Sequence, residues 1–242
     1  MSKVVAYGKT DVGRKRTSNQ DSLLINDRIM LYAVADGMGG HKGGEIASSL
    51  CTEVLESAVI KMLDRNDDFK VGPFLKEAVT LASMRIYERA SMDSSLKGMG
   101  TTLVSLFIRG KNAYICQVGD SRVYLYRSGE LWKITEDHSL VNEQVRSGLI
   151  SRDQADKITY KNVITRAVGF EEIINVDIYT RELQKGDVFL LCSDGLTSMI
   201  SDADIRVNID EHDLAGSVKR LIDASNEAGG NDNVSSILVR VG

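Results

Sequence analysis

Four aspartates stand where an apolar run gives way to a turn: Asp36 after Leu31 to Ala35, Asp120 after Tyr114 to Gly119, Asp194 after Val188 to Ser193, and Asp232 just before Val234. The core of a strand is apolar because it is buried, so a carboxylate at its end sits at the rim of a sheet. If the strands are neighbours, so are the carboxylates. Two of them about 4 Å apart repel by roughly 4 kcal/mol at an effective dielectric near 20. Divalent cations neutralise several such charges at once, and the pattern therefore suggests a metal site built from oxygen alone.

The donor types narrow the metal. Asp36-Gly37 and Asp194-Gly195 repeat one device, an acid followed by a glycine that lets the backbone turn sharply and leaves its carbonyl open. Carboxylate and carbonyl oxygens suit Mg²⁺ or Mn²⁺, whereas zinc calls for His or Cys, and the chain has only His41, His138 and His212. Upstream, Arg14-Lys-Arg-Thr-Ser-Asn-Gln-Asp21 sets a cation five residues before another carboxylate. Arg16 is a candidate fork for an anionic oxygen pair and Asp21 a candidate outer metal ligand; a solvated basic loop with Asp21 as a cap is the alternative.

Long elements must carry these residues. Ile46, Leu50, Cys51, Val54, Ala58 and Met62 recur at the spacing of a helix with one buried face, from Gly44 to about Leu63. A second helix begins near Pro73, with Phe74, Leu75, Ala78, Val79, Ala82 and Ile86 inward, antiparallel to the first. Strands are expected at Thr101–Ile108, Asn112–Val118, Arg122–Tyr126, Leu131–Ile134, Ile174–Thr180, Val188–Leu191 and Val234–Val241, with a turn at Ser128-Gly129. A last helix runs from Asp213 to about Ala228. The stretch 139–167 is polar and broken, with helical pieces at Leu140–Arg146 and Arg152–Lys157, and reads as an inserted flap. Strand runs flanked by long helices imply sheets covered by helices, an α+β arrangement.

Bulk properties agree with one domain spanning 1–242. The 242 residues are 43% hydrophobic and 26% charged, and no linker or low-complexity run divides them. A net charge of −4 without a basic stripe gives no reason to expect nucleic acid or an anionic membrane as partner. The start is too soon polar for a signal peptide and no apolar run approaches membrane length, which places the chain in the cytoplasm. Cys51, Cys116 and Cys192 each lie in an apolar run and read as buried, reduced thiols.

Six motifs together carry a resemblance: Arg16-Thr-Ser-Asn-Gln-Asp21, Val34-Ala-Asp-Gly-Met-Gly-Gly-His41, Gly98-Met-Gly-Thr-Thr102, Val118-Gly-Asp-Ser-Arg122, Cys192-Ser-Asp-Gly-Leu196 and Asn231-Asp-Asn-Val234. In this order they are similar to the bacterial branch of the metal-dependent type 2C serine/threonine protein phosphatases. The resemblance implies a four-layer αββα sandwich, two antiparallel sheets between helix pairs, with metals in a cleft at one end. It implies that Asp36 bridges two Mn²⁺ or Mg²⁺ ions, that the Gly37 carbonyl binds the second, that Asp194 and Asp232 complete the first, and that Asp120 with Asp194 holds a weaker third. Asp21 would lie near the metals and Arg16 would bind phosphate. A metal-bridging water would attack phosphorus in line. Expected partners are phosphorylated proteins and an opposing serine/threonine kinase, with the enzyme a monomer. The chain departs from eukaryotic members at Met38, where they have a histidine proposed as general acid. His41, three residues on, follows the bacterial pattern and is either that acid's replacement or a structural side chain; protonation by metal-bound water is the third option.

Three other readings are weaker. Cys116 and Arg122 have the spacing of thiolate phosphatases, but Asp120 between them would repel phosphate and Val123–Tyr126 continues as strand. The glycines from Gly37 to Gly44 miss the dinucleotide fingerprint at Lys42. A non-catalytic regulator on the same fold would be expected to lack one of the metal aspartates, and all are present.

Overall fold

The computed structural model describes residues 3–65, 69–155 and 163–242, without the side chains of His41 and Arg65. Among the described residues, eleven strands form two sheets. One contains β1 (Val4–Asp11), β11 (Val234–Val241), β10 (Val188–Cys192), β7 (Arg122–Arg127) and β8 (Glu130–Lys133), in that order. The other runs β2 (Asp21–Asn26), β3 (Leu31–Met38), β5 (Leu103–Arg109), β6 (Asn112–Val118) and β9 (Asp177–Glu182), with the short β4 (Gly100–Thr101) paired to the end of β3. Every strand pairing is antiparallel.

Three apolar layers hold the sheets and helices together. Tyr32, Val34, Leu106, Ile115, Phe189, Leu191 and Ile237 fill the space between the sheets. Helices α1 (Gly40–Arg65) and α2 (Val71–Met92) cover the β2–β9 sheet through Ala47, Cys51, Leu55, Leu75, Val79 and Ile86. The opposite face is closed by α7 (Leu214–Glu227), through Val218, Leu221 and Ile222, with the short α5 (Asp194–Thr197) and α6 (Asp202–Asn208) beside it. The four layers are those expected, except that one outer layer is a single long helix with two short ones. The flap region contains α3 (Leu140–Arg146) and α4 (Arg152–Ala155), and residues 156–162, including the expected end of the second piece at Lys157, lie outside the described residues.

Two strands precede those the apolar runs indicate. β1 lies at a sheet edge with alternate residues exposed, and β2 buries only Asp21 and Leu24 fully, so neither has a continuous apolar run to announce it. The Ser128-Gly129 turn forms as expected, with positive φ at both residues, the conformation a two-residue hairpin requires. Among the described residues no helix is long and apolar enough to cross a membrane, and all three cysteines are buried and free.

Candidate functional site

Strand register brings distant residues to one end of the sandwich. β1 pairs with β11 so that Asp11 faces Val234, which sets the loop from Val12 to Asn19 against residues 230–233. Asn233 then ties that loop down: its Nδ2 donates to the carbonyls of Val12 and Ser18, both at 2.9 Å, and its Oδ1 accepts from the Gln20 amide at 2.8 Å. Arg16 is thereby held against Asp232, with Nη2 donating to Oδ2 at 2.7 Å. Asp194 opens α5, two residues past the β10–β11 pairing of Cys192 with Ser236.

The second sheet contributes from the facing side. Asp21 and Asp36 are register partners on β2 and β3. Asp36 is not a strand-end residue as its apolar run suggests, because pairing of Gly37 and Met38 with β4 carries the strand past it. Thr102 anchors it: the Asp36 amide donates to Thr102 Oγ1 at 3.1 Å and the Thr102 amide returns to the Asp36 carbonyl at 2.8 Å. Thr102 Oγ1 also meets Ser121 Oγ at 2.7 Å, which links Asp36 to the β6–β7 turn that carries Asp120.

The result is a cavity of about 600 Å³ whose wall includes Arg16, Asp36, Gly37, Asp120, Asp194 and Asp232, together with Gln20, Thr102, Ile164 and Asn233. Six of the seven residues picked from the sequence meet there. The seventh, Asp21, stands behind the wall: Ser193 and Ser235 donate to its Oδ2 at 2.9 and 2.6 Å, while its buried Oδ1 has no partner among the described residues. Nothing local in the sequence marks Ser193 and Ser235, which reach Asp21 from the residue after β10 and from β11 across more than 170 residues.

The glycines of the two Asp-Gly pairs have a different purpose from the sharp turn expected of them. Neither Gly37 nor Gly195 has positive φ. A Cβ on Gly37 would strike the Gly44 carbonyl oxygen at the start of α1, and one on Gly195 would strike the Asn233 carbonyl oxygen. Both let two backbones touch at the rim of the cavity.

Electrostatics follow from crowding. Asp36 is held well above the usual carboxylate range by burial and by Asp21 and Asp194; Asp194 is raised by burial and lies within hydrogen-bonding reach of Asp36. Burial, with Asp194 and Asp137 nearby, pushes Asp120 up to about 7, and burial pushes Asp21 up to about 6. A buried acceptor left unpaired costs about 1–3 kcal/mol, so the orphaned Asp21 oxygen and the raised carboxylates together mark a region that divalent cations would stabilise, and the all-oxygen donor set fits Mg²⁺ or Mn²⁺. Among the described residues, however, no three acidic, His or Cys side chains already converge on a single point. Mutual repulsion opposes tighter gathering, and Asp232 is drawn toward Arg16 instead.

The thiolate alternative fails on geometry. Cys116 is fully buried, with its thiol pushed up to about 12 by that burial, and Arg122 is engaged in a bidentate pair with Asp137 at 2.7 and 3.0 Å.

Comparison with known proteins gives a consistent picture. The family profile described as protein phosphatase 2C matches residues 11–239. Protein phosphatase PhpP of Streptococcus pneumoniae is 39% identical over 236 residues, covering 95% of this chain and 94% of that protein. The crystal structure of the Mycobacterium tuberculosis serine/threonine phosphatase PstP/Ppp superimposes with a TM-score of 0.89 at 34% identity, covering 98% of each chain. The catalytic domain of PstP in complex with two manganese ions gives 0.83 at 35% identity, again over 98% of each.

Proposed function

The chain belongs to the protein phosphatase 2C family, and from that membership we propose that its aspartate-lined cavity removes phosphate from phosphoserine and phosphothreonine in proteins, opposing a serine/threonine kinase. It is a metal-dependent serine/threonine protein phosphatase, and its substrates are phosphoproteins. The observation that carries the assignment of residues is the meeting of Arg16, Asp36, Gly37, Asp120, Asp194 and Asp232 in one cavity.

In this reading Asp36, the Gly37 carbonyl, Asp194 and Asp232 hold two core cations, and Asp120 with Asp194 holds a weaker third. Divalent cations bound there supply Lewis-acid activation of water and neutralise charge on the phosphoryl group. The protein's own share is positional. Arg16 has one N–H on Asp232 and further N–H donors in a planar fork suited to two phosphoryl oxygens. Asn233 fixes the loop on which that fork is mounted. Asp21 holds its charge behind Asp36, fastened by two serine hydroxyls, and adds to the negative field that draws cations in. Asp232 would serve a core cation while its Oδ2 accepts from Arg16, so one side chain borders both the proposed metal site and the proposed phosphate site.

The elements of the sandwich run from Val4 to Val241, which supports a single catalytic domain with 139–167 as a flap beside the cavity, where Ile164 forms part of the wall. In the same reading the enzyme works as a monomer in the cytoplasm.

The test is hydrolysis of an aryl phosphate and of a phosphothreonine peptide, with Mn²⁺ and with chelator. Activity should need the metal, disappear in Asp194→Ala and persist in Cys116→Ser. Turnover that survives chelation, or that is lost in Cys116→Ser alone, would reject the reading.

A further inference from the structure

His138 is a buried polar residue that the proposed chemistry does not use, and every polar group it has is engaged. Its amide donates to the Gly119 carbonyl at 3.0 Å, and its Nδ1 accepts from the Gly119 amide at 3.1 Å. Both polar backbone groups of Gly119 are thus held by one side chain and its own main chain. Gly119 has φ of +96° and directly precedes Asp120, so its orientation sets that of the Asp120 backbone. On the far side, His138 Nε2 meets Asp177 Oδ2 at 3.1 Å, and Arg166 bonds the other oxygen of Asp177 at 3.1 Å. The His138 carbonyl accepts from the Thr165 amide at 2.9 Å, one residue from Ile164 in the cavity wall.

Because Nδ1 is an acceptor, the ring's proton is on Nε2, facing Asp177, and the carboxylate fixes both tautomer and ring angle. This is the arrangement by which outer groups orient a metal ligand, here through the backbone rather than through the ligand's own side chain.

We propose that His138 is a positioning residue for Asp120: it clamps the Gly119–Asp120 turn and ties it to the segment 164–166, so that the third-ion carboxylate and the Ile164 side of the cavity are set as one unit. The proposal rests on the reading of Asp120 as a metal ligand.

Two substitutions separate the clamp from its support. His138→Asn places an amide oxygen near the position of Nδ1 and keeps an acceptor for the Gly119 amide. His138→Gln reaches toward Asp177 but lacks that acceptor. In metal-free protein, amide exchange at Gly119 should speed by about tenfold in His138→Gln, and the weakest class of bound Mn²⁺, counted by electron paramagnetic resonance, should weaken by about tenfold. His138→Asn should stay within about twofold of the native protein on both readings. Asp177→Asn, which loosens the ring without touching Gly119, should move both in the same direction as His138→Gln and serves as the test if the latter does not fold.

Asp120→Ala distinguishes the two ways of failing. If it leaves the Mn²⁺ count unchanged, the metal reading of Asp120 falls and this proposal with it. If it removes an ion while His138→Gln and Asp177→Asn leave Gly119 exchange and Mn²⁺ affinity at native values, the His138 proposal alone is overturned. Equal losses in His138→Asn and His138→Gln would also overturn it, since the Gly119 acceptor would then not matter.

Discussion

Arg16 and Asp232 lie 216 residues apart in sequence and form an ion pair at 2.7 Å in the mouth of the cavity. The pair joins the proposed phosphate-binding group to a proposed metal ligand, so one contact links the two functions.

Removing the guanidinium should therefore split them. Arg16→Ala is expected to lower kcat/KM on a phosphothreonine peptide by about 10²- to 10³-fold, the usual cost of losing a donor to developing charge. The Mn²⁺ concentration for half-maximal activity should not rise, because Asp232 is freed. A parallel rise in that concentration would show that Arg16 supports the metal site instead.

Asp21→Asn removes a buried charge facing Asp36, Asp194 and Asp232 while keeping the shape of the side chain. The metal-free protein should melt no lower than the native one, whereas the gain in Tm on adding Mn²⁺ should shrink. Thermal unfolding with chelator and with Mn²⁺ reads both; an undiminished Mn²⁺ increment would exclude Asp21 from metal binding.

The glycines offer a contrast in stability. Gly37→Ala and Gly195→Ala force a methyl group into a backbone carbonyl and should cost about 1–3 kcal/mol or more. Gly72→Ala, in α2, meets nothing nearer than Ile178 at 3.6 Å and should stabilise by about 0.5–1 kcal/mol. Urea unfolding of the three variants checks the order.

His138 also predicts a pH dependence. Burial, with Arg166 nearby, holds its pKa below the ordinary 6.5 despite Asp177 and Asp137, and its Nδ1 cannot take a proton without losing the Gly119 amide. The unfolded chain then binds the proton more readily than the folded one. Its contribution to stability is complete above the unfolded pKa of 6.5 and is lost as pH falls from there toward the folded value. The stability advantage of the native protein over His138→Asn should shrink between about pH 7.5 and about pH 5.5. A difference that is constant with pH would contradict this.

Much of this was legible in the linear chain. Asn112–Val118 and Val234–Val241 are strands at the expected residues, and the helix expected at 213–228 is α7 with Asp213 as its cap, because apolar period and turn chemistry report local burial directly. The acid residues and Arg16 stood out because their chemistry is unusual at the ends of apolar runs.

Folding alone decided which partners these residues have. That Ser193 and Ser235 fasten Asp21, that Asn233 anchors the Arg16 loop, and that His138 grips Gly119 all depend on which strands lie side by side and in what register. A residue's type and spacing fix its own conformation and burial. Hydrogen bonds between segments form only where sheet pairing places a donor within about 3 Å of an acceptor, and no local pattern encodes that distance.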